Sequence, residues 1–143
     1  MARSISEKMG VHDGIRVYIL KAPCEILEKI LSDGVIVSRA LKGKFDLIIA
    51  FFTSYREMQD TFLTLRSHLK HGGRLWICWP KGRGLQSDLT LQCVIAFGYS
   101  CDMVESNSIC VDDVWSALKF TFPRLGKVSE NSYGALPGKR IPP

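Results

Sequence analysis

Lys81 and Arg83 lie in the run Pro80-Lys81-Gly82-Arg83-Gly84, directly behind the indole of Trp79 and just before the hydroxyl of Ser87. Two cations on a glycine-rich loop are suited to a phosphate or carboxylate, because both can donate charge-assisted hydrogen bonds to its oxygens. The indole beside them offers a flat face for a planar group. Lys21, the pair Thr53 and Ser54, and the group Asp113, Trp115 and Ser116 add a third cation, small hydroxyls, a carboxylate and a second indole. Such a set favours binding an anion. The plainer reading of each member is a solvated loop, a helix cap or a core indole.

Hydrolytic, redox and metal chemistry find less support. His68 and His71 stand three apart at the expected end of a helix, where they complement its dipole more readily than they hold a metal. Asp112 and Asp113 are adjacent in an expected turn, which leaves both facing solvent instead of forming an acid and base pair. Cys24, Cys78, Cys93, Cys101 and Cys110 are odd in number, irregularly spaced and without a C-x-x-C pair, so they read as small buried hydrophobes in a reducing compartment. No metal is expected.

The elements that must position these residues follow from hydrophobic periodicity. Residues 1 to 14 are polar, with Gly10 and Gly14, and read as a short lead-in with at most one helical turn around Ser4 to Met9. Ile15 to Leu20 is a β-branched run stopped by Pro23, a first strand. Ile26, Leu27, Ile30 and Leu31 recur at helical spacing, with Gly34 as the expected C-cap. Val35 to Val37 begins a second strand, and Phe45 to Phe52 is a nearly all-apolar third strand of the sort buried on both faces. The link from Ser38 to Lys44 holds no helix. Either Val35 to Leu41 pairs antiparallel with the third strand through Lys42-Gly43-Lys44, or a short strand returns along an extended crossover.

Tyr55, Met58, Phe62, Leu65 and Leu69 mark the clearest helix, closed by Lys70, His71 and Gly72. Arg74 to Trp79 is a fourth strand, and Ser87 is the expected N-cap of a helix carrying Leu91, Val94 and Ile95 and ending at Gly98. Met103 to Val111 and Ala117 to Phe122 alternate as the two strands of a hairpin around a turn at Asp112 to Ser116. From Pro123 the chain turns to Gly, Pro, Ser and Lys, a mobile or docked tail. The reading is a lead-in over 1–14, one domain over 15–122 and a basic tail over 123–143.

This order is that of an α/β domain of three layers, Rossmann-like and with the layout of the adenosylmethionine methyltransferases: a mostly parallel sheet closed by an antiparallel hairpin. Short motifs carry a resemblance as well: Gly14-Ile15-Arg16-Val17 with Ala22-Pro23, Phe45-Asp46-Leu47-Ile48 with Phe52-Thr53, Gly72-Gly73-Arg74-Leu75-Trp76, Trp79-Pro80-Lys81, Asp88-Leu89-Thr90, and Val111-Asp112-Asp113-Val114-Trp115-Ser116 with Leu118-Lys119. Over about residues 4 to 122 the chain resembles the bacterial DUF3052 family, a resemblance that implies this fold and a bacterial cytosolic origin but no activity.

In open α/β sheets, ligands bind outside the carboxyl ends of the strands. Lys21, Thr53, Ser54, Trp79, Lys81, Arg83 and Ser87 all leave strands at that edge or open the next helix there. A hairpin of the expected direction brings Asp113, Trp115 and Ser116 to the same place. The expected site is therefore an anion or nucleotide pocket at the carboxyl edge of a non-catalytic binding module.

Two alternatives stand beside this reading. Methyl transfer fits the layout, but adenosylmethionine sites have a glycine-rich turn after the first strand and an acid at the end of the second. This chain has Lys21-Ala22-Pro23-Cys24 and Ser38-Arg39 there, and Lys21 would face the cofactor's positive sulfonium. The cofactor is therefore disfavoured, and no other is expected. Nucleic-acid binding would suit the net charge of +5, yet the cations are scattered and no recognition motif accompanies them. Expected partners are a small anion or an acidic protein segment. The longest apolar run, Leu47 to Phe52, is too short for a membrane span and no signal peptide is evident, so a cytoplasmic, non-membrane protein is expected.

Overall fold

The computed structural model describes residues 4–31, 35–38, 40–81 and 86–123, with the backbone of 129–131 and 134–136. The first element, α1 (Ile5–Met9), begins at Ser4, whose Oγ accepts from the Glu7 N–H, and ends at Gly10 in the left-handed region, φ +84°. It is part of the folded domain. Met9 is buried, Val11 and Ile15 join the same core cluster, and the Met9 carbonyl accepts the buried Trp76 indole N–H at 2.9 Å. The expected start of order after residue 14 is therefore too late, because apolar residues at 9, 11 and 15 anchor a segment whose composition is polar on average.

The parallel strands are β1 (Arg16–Leu20), β2 (Ile36–Ser38), β3 (Phe45–Phe51) and β4 (Leu69–Pro80), and the closing hairpin is β5 (Val104–Cys110) with β6 (Trp115–Thr121). Their order across the sheet is β2-β1-β3-β4-β6-β5, with β6 antiparallel to β4 and to β5. Helices α2 (Cys24–Ile30), α3 (Tyr55–Ser67) and α4 (Leu91–Ser100) complete the layers. A separate two-stranded pair, β7 (Ser129–Asn131) and β8 (Gly134–Leu136), follows.

Alternation along the strands divides the core. Leu47, Ile49 and Phe51 of β3 face one side with Trp76, Cys78, Trp115 and Ala117, where α1 and α2 pack through Met9, Ile26 and Ile30. Ile48, Ala50 and Phe52 face the other with Leu75, Ile77, Trp79, Leu118 and Phe120, beneath Met58, Phe62 and Leu65 of α3 and Val94, Ile95 and Tyr99 of α4. This double burial explains the near-continuous apolar run at Phe45 to Phe52.

Several boundaries differ from the sequence reading. Of the two routes for the second strand, the structure takes the extended crossover: Arg16, Val17 and Tyr18 pair in parallel with Ile36, Val37 and Ser38, so β2 lies outside β1 and has no ladder with β3. Arg16 makes this possible by donating from Nη1 to the Lys44 carbonyl and from Nη2 to the Lys42 carbonyl, both at 2.6 Å. The clearest helix ends at Ser67 with His68 as C-cap. Lys70 and His71 belong to the start of β4, where Lys70 pairs with Asp46 at 3.2 Å. Leu31, not Gly34, is the C-cap of α2; Gly34 lies outside the described residues.

Candidate functional site

The carboxyl edge of the sheet carries the sequence-derived candidates in two separate groups. The first gathers at the ends of β1 and β3 around Glu57, a residue the sequence reading missed. Lys21 donates from Nζ to Glu57 Oε2 at 2.6 Å, the Thr53 N–H reaches Glu57 Oε1 at 3.4 Å, and Ser54 Oγ accepts from the Glu57 N–H at 3.1 Å. Ser54 is thus the N-cap of α3. The spacing Ser54-x-x-Glu57 is a capping-box pattern and was the available signal for Glu57. The exposed end of α3 is satisfied from a second direction, since the Tyr55 N–H donates to Asp88 Oδ1 at 2.8 Å across a separation of 33 residues.

The second group lines a cleft of about 500 Å³ bounded by β4, the 86–90 loop, the start of α4 and the hairpin. Trp79, Lys81, Ser87 and Ser116 line it, joined by Thr90, Ser108 and Cys110. The floor follows from strand register, because Trp79 pairs with Ser116 and Ser116 with Cys110, a row crossing three adjacent strands on one face. The wall is the entry to α4, where Leu89 is buried and Thr90 caps the helix. Lys81 is the one charged side chain among the described lining residues, and its N–H donates to the Val114 carbonyl at 2.8 Å, tying the loop to the hairpin.

Ser87 is not the helix cap expected from its position. Its Oγ accepts the Leu89 N–H at 3.0 Å in a local turn, while Thr90 accepts from the Cys93 N–H at 3.2 Å and its own N–H meets Cys93 Sγ at 3.1 Å. Burial of Leu89 pulls the chain inward for one more turn before the helix can begin. The hairpin turn is also shorter than expected, so Trp115 and Ser116 are strand residues of β6. Asp112 holds the turn by accepting the Val114 and Trp115 N–H groups at 2.8 Å each, and Asp113 is exposed.

The two indoles do not share a platform. Trp79 is 5% exposed and belongs to the core on the α3 and α4 side, whereas Trp115 is 6% exposed and meets Phe51 edge-on, at 5.1 Å between centroids, on the other side. Strand alternation separates them by the thickness of the sheet, a distinction of parity that the loop assignment of Trp115 concealed. Arg83 lies outside the described residues. Among the described residues no group of three or more His, Cys, Asp or Glu side chains could hold a metal ion. No helix there is long and apolar enough to cross a membrane.

The strand order and the closing hairpin are those of the Rossmann-like fold found in adenosylmethionine methyltransferases. Solved structures of several enzymes share this fold. It is similar to a ribosomal protein L11 methylase from Lactobacillus delbrueckii subsp. bulgaricus, with a TM-score of 0.57 and 16% identity over 82% of this chain and 74% of that one. A magnesium protoporphyrin IX methyltransferase from Synechocystis PCC 6803 with bound SAH matches with a TM-score of 0.56 and 11% identity over 77% and 75% of the two chains. A glycopeptide N-methyltransferase complexed with sinefungin matches at 0.54 and 10% identity over 82% and 83%. No family model matches the sequence, and no curated protein does.

The two places where an adenosylmethionine site is expected to carry a glycine-rich turn and an acid hold other residues here. The turn after β1 carries the side chain of Lys21, exposed and paired to Glu57, followed by Pro23, which has no N–H to offer. At the end of β2, Ser38 Oγ donates to the Ala40 carbonyl at 2.7 Å, and no carboxylate follows in sequence until Asp46 on β3.

Proposed function

We propose that this chain is a methyltransferase-fold binding domain that takes a small anionic ligand in the cleft beside β4. The observation that carries the reading is the composition of that cleft: among the described lining residues one cation, Lys81, set among the hydroxyls of Ser87, Thr90, Ser108 and Ser116, with apolar flanks at Leu89, Leu91 and Ile109. A few polar groups in a mostly apolar hollow are what a ligand with a charged head and an apolar body requires. The first residues of α4 add N–H groups at the same rim. Membership of the DUF3052 family and a bacterial cytosolic setting are proposed with it, on the motifs named above.

A second reading is methyl transfer with a divergent cofactor site. It is favoured by the similar solved structures, which are methyltransferases and include one with bound SAH. The comparisons lean toward this reading, while Lys21, Pro23 and the missing acid lean away from it. Thermal unfolding against adenosylhomocysteine, nucleotides and phosphorylated metabolites separates the two. A ligand at about one hundred times its Kd stabilises by about 2.7 kcal/mol, a shift of several degrees. We expect that shift from a phosphorylated compound, with affinity lowered about tenfold by Lys81→Ala. A shift from adenosylhomocysteine that Lys81→Ala leaves intact would overturn the anion-cleft reading in favour of the methyl-transfer one. Steep salt dependence without saturation by any small molecule would instead point to nucleic acid.

A further inference from the structure

Two of the short motifs meet at a place the cleft does not touch. Arg74 on β4 and Lys119 on β6 lie on the α1 side of the sheet, and register sets Lys119 directly opposite Trp76. The Lys119 ammonium sits 5.9 Å from the centre of the Trp76 ring. The Arg74 guanidinium lies against Gly10, so close that a methyl group there would meet its central carbon at 3.0 Å. Asn107, opposite Lys119 on β5, extends the row with an exposed amide.

Neither cation has an ion pair among the described residues, and Arg74 Nε is buried with no hydrogen-bond partner. Burial and then the neighbouring Arg74 charge push the Lys119 ammonium below its ordinary range. Lys119 stands opposite the residue two places along β4 from Arg74, on the same face; like charges so placed beside a low-dielectric core repel one another, and a bound anion relieves both.

We propose that Arg74, Lys119 and Asn107 form a second anion point, for a phosphate group, on the face of the sheet opposite the cleft. The fork of Arg74 supplies paired donors, Lys119 a point charge and Asn107 a neutral donor. It is independent of the cleft and of Lys81.

The test is an NMR titration of the protein with inorganic phosphate, compared with chloride at matched ionic strength. The reporters are the Trp76 indole N–H and the amides of Lys119 and Asn107. We expect saturable shifts at these positions with phosphate alone, weakened at least about fivefold in Lys119→Gln and retained in Lys119→Arg. Lys81→Ala leaves them unchanged, so failure here is separate from failure of the cleft. Absence of saturation up to about 20 mM phosphate, equal shifts with chloride, or unaltered binding in folded Lys119→Gln overturns the proposal. If Lys119→Gln does not fold, loss of the shifts in Lys119→Arg overturns it.

Discussion

Lys21 holds φ at +60°, a left-handed conformation that costs an ordinary residue about 1–2 kcal/mol and glycine almost nothing. Its compensation is the bond to Glu57, but the Lys21 side chain is 56% exposed, and pairs so open to solvent contribute about 0–1 kcal/mol. The two effects nearly cancel. Lys21→Gly should therefore leave stability within about 1 kcal/mol of the parent in urea unfolding, a loss of one small pair against a relief of similar size. Asp46 gives a different dependence. The Arg16 N–H at 2.8 Å holds its carboxyl below the ordinary 3.8, opposed by burial and assisted by Lys70. With the folded value the lower one, its stabilisation is complete above 3.8 and is lost as pH falls through the folded value. Unfolding in urea across an acid series should show a smaller decline for Asp46→Asn than for the parent in that window.

Among elements, α4 is fixed by a close approach that only one residue type allows. A Cβ at Gly98 would stand 2.1 Å from Phe120, whose ring is wholly buried between Phe62 and the sheet. Alanine would gain about 1 kcal/mol of helix propensity, yet displacing a packed ring costs about 1–3 kcal/mol or more. Gly98→Ala should lower the thermal midpoint, a result calorimetry reads directly. The same residue shows how much of the elements was legible in the sequence. Helical spacing located α3 and α4, and alternation located both hairpin strands. The sequence reading nevertheless ended α4 at Gly98, because a glycine near a helix end resembles a cap when its real partner is a ring 22 residues away. Thr90 was passed over for Ser87 for a related reason: both can cap, and only the burial of Leu89 decides between them. Trp79, Lys81, Ser87 and Ser116 reached one cleft because chain direction alone brings them to the carboxyl edge. Trp115 left the set through strand parity, which depends on a turn boundary.

At the scale of the molecule, a mostly parallel sheet closed by an antiparallel hairpin was readable, whereas the pairing of β2 was left between two routes because six residues replace the usual helical crossover. Side chains from three places hold that link: Arg16, His68, whose Nδ1 meets the Gly43 carbonyl at 2.7 Å, and Lys44, whose Nζ donates to the Ser67 carbonyl at 2.7 Å. Arg16 donates to two carbonyls of the link and lies over the Phe45 ring at 4.2 Å. Hydrogen bonds from a charged group contribute about 1.5–3 kcal/mol each in net terms, less where solvent competes. Arg16→Ala should cost about 2 kcal/mol in urea unfolding, and it should raise amide exchange in β2 more than in β3, since β2 has only β1 as a neighbour.

The carboxylate of Asp88 belongs to the loop that walls the cleft, and the amide it accepts belongs to the first residue of α3. An incoming molecule that pushed this wall aside would also strip the Tyr55 N–H of its acceptor, leaving Ser54 alone to cap α3. The loop beside the cleft and the first turn of α3 thus share one hydrogen bond, and a substitution at Asp88 would be felt at both.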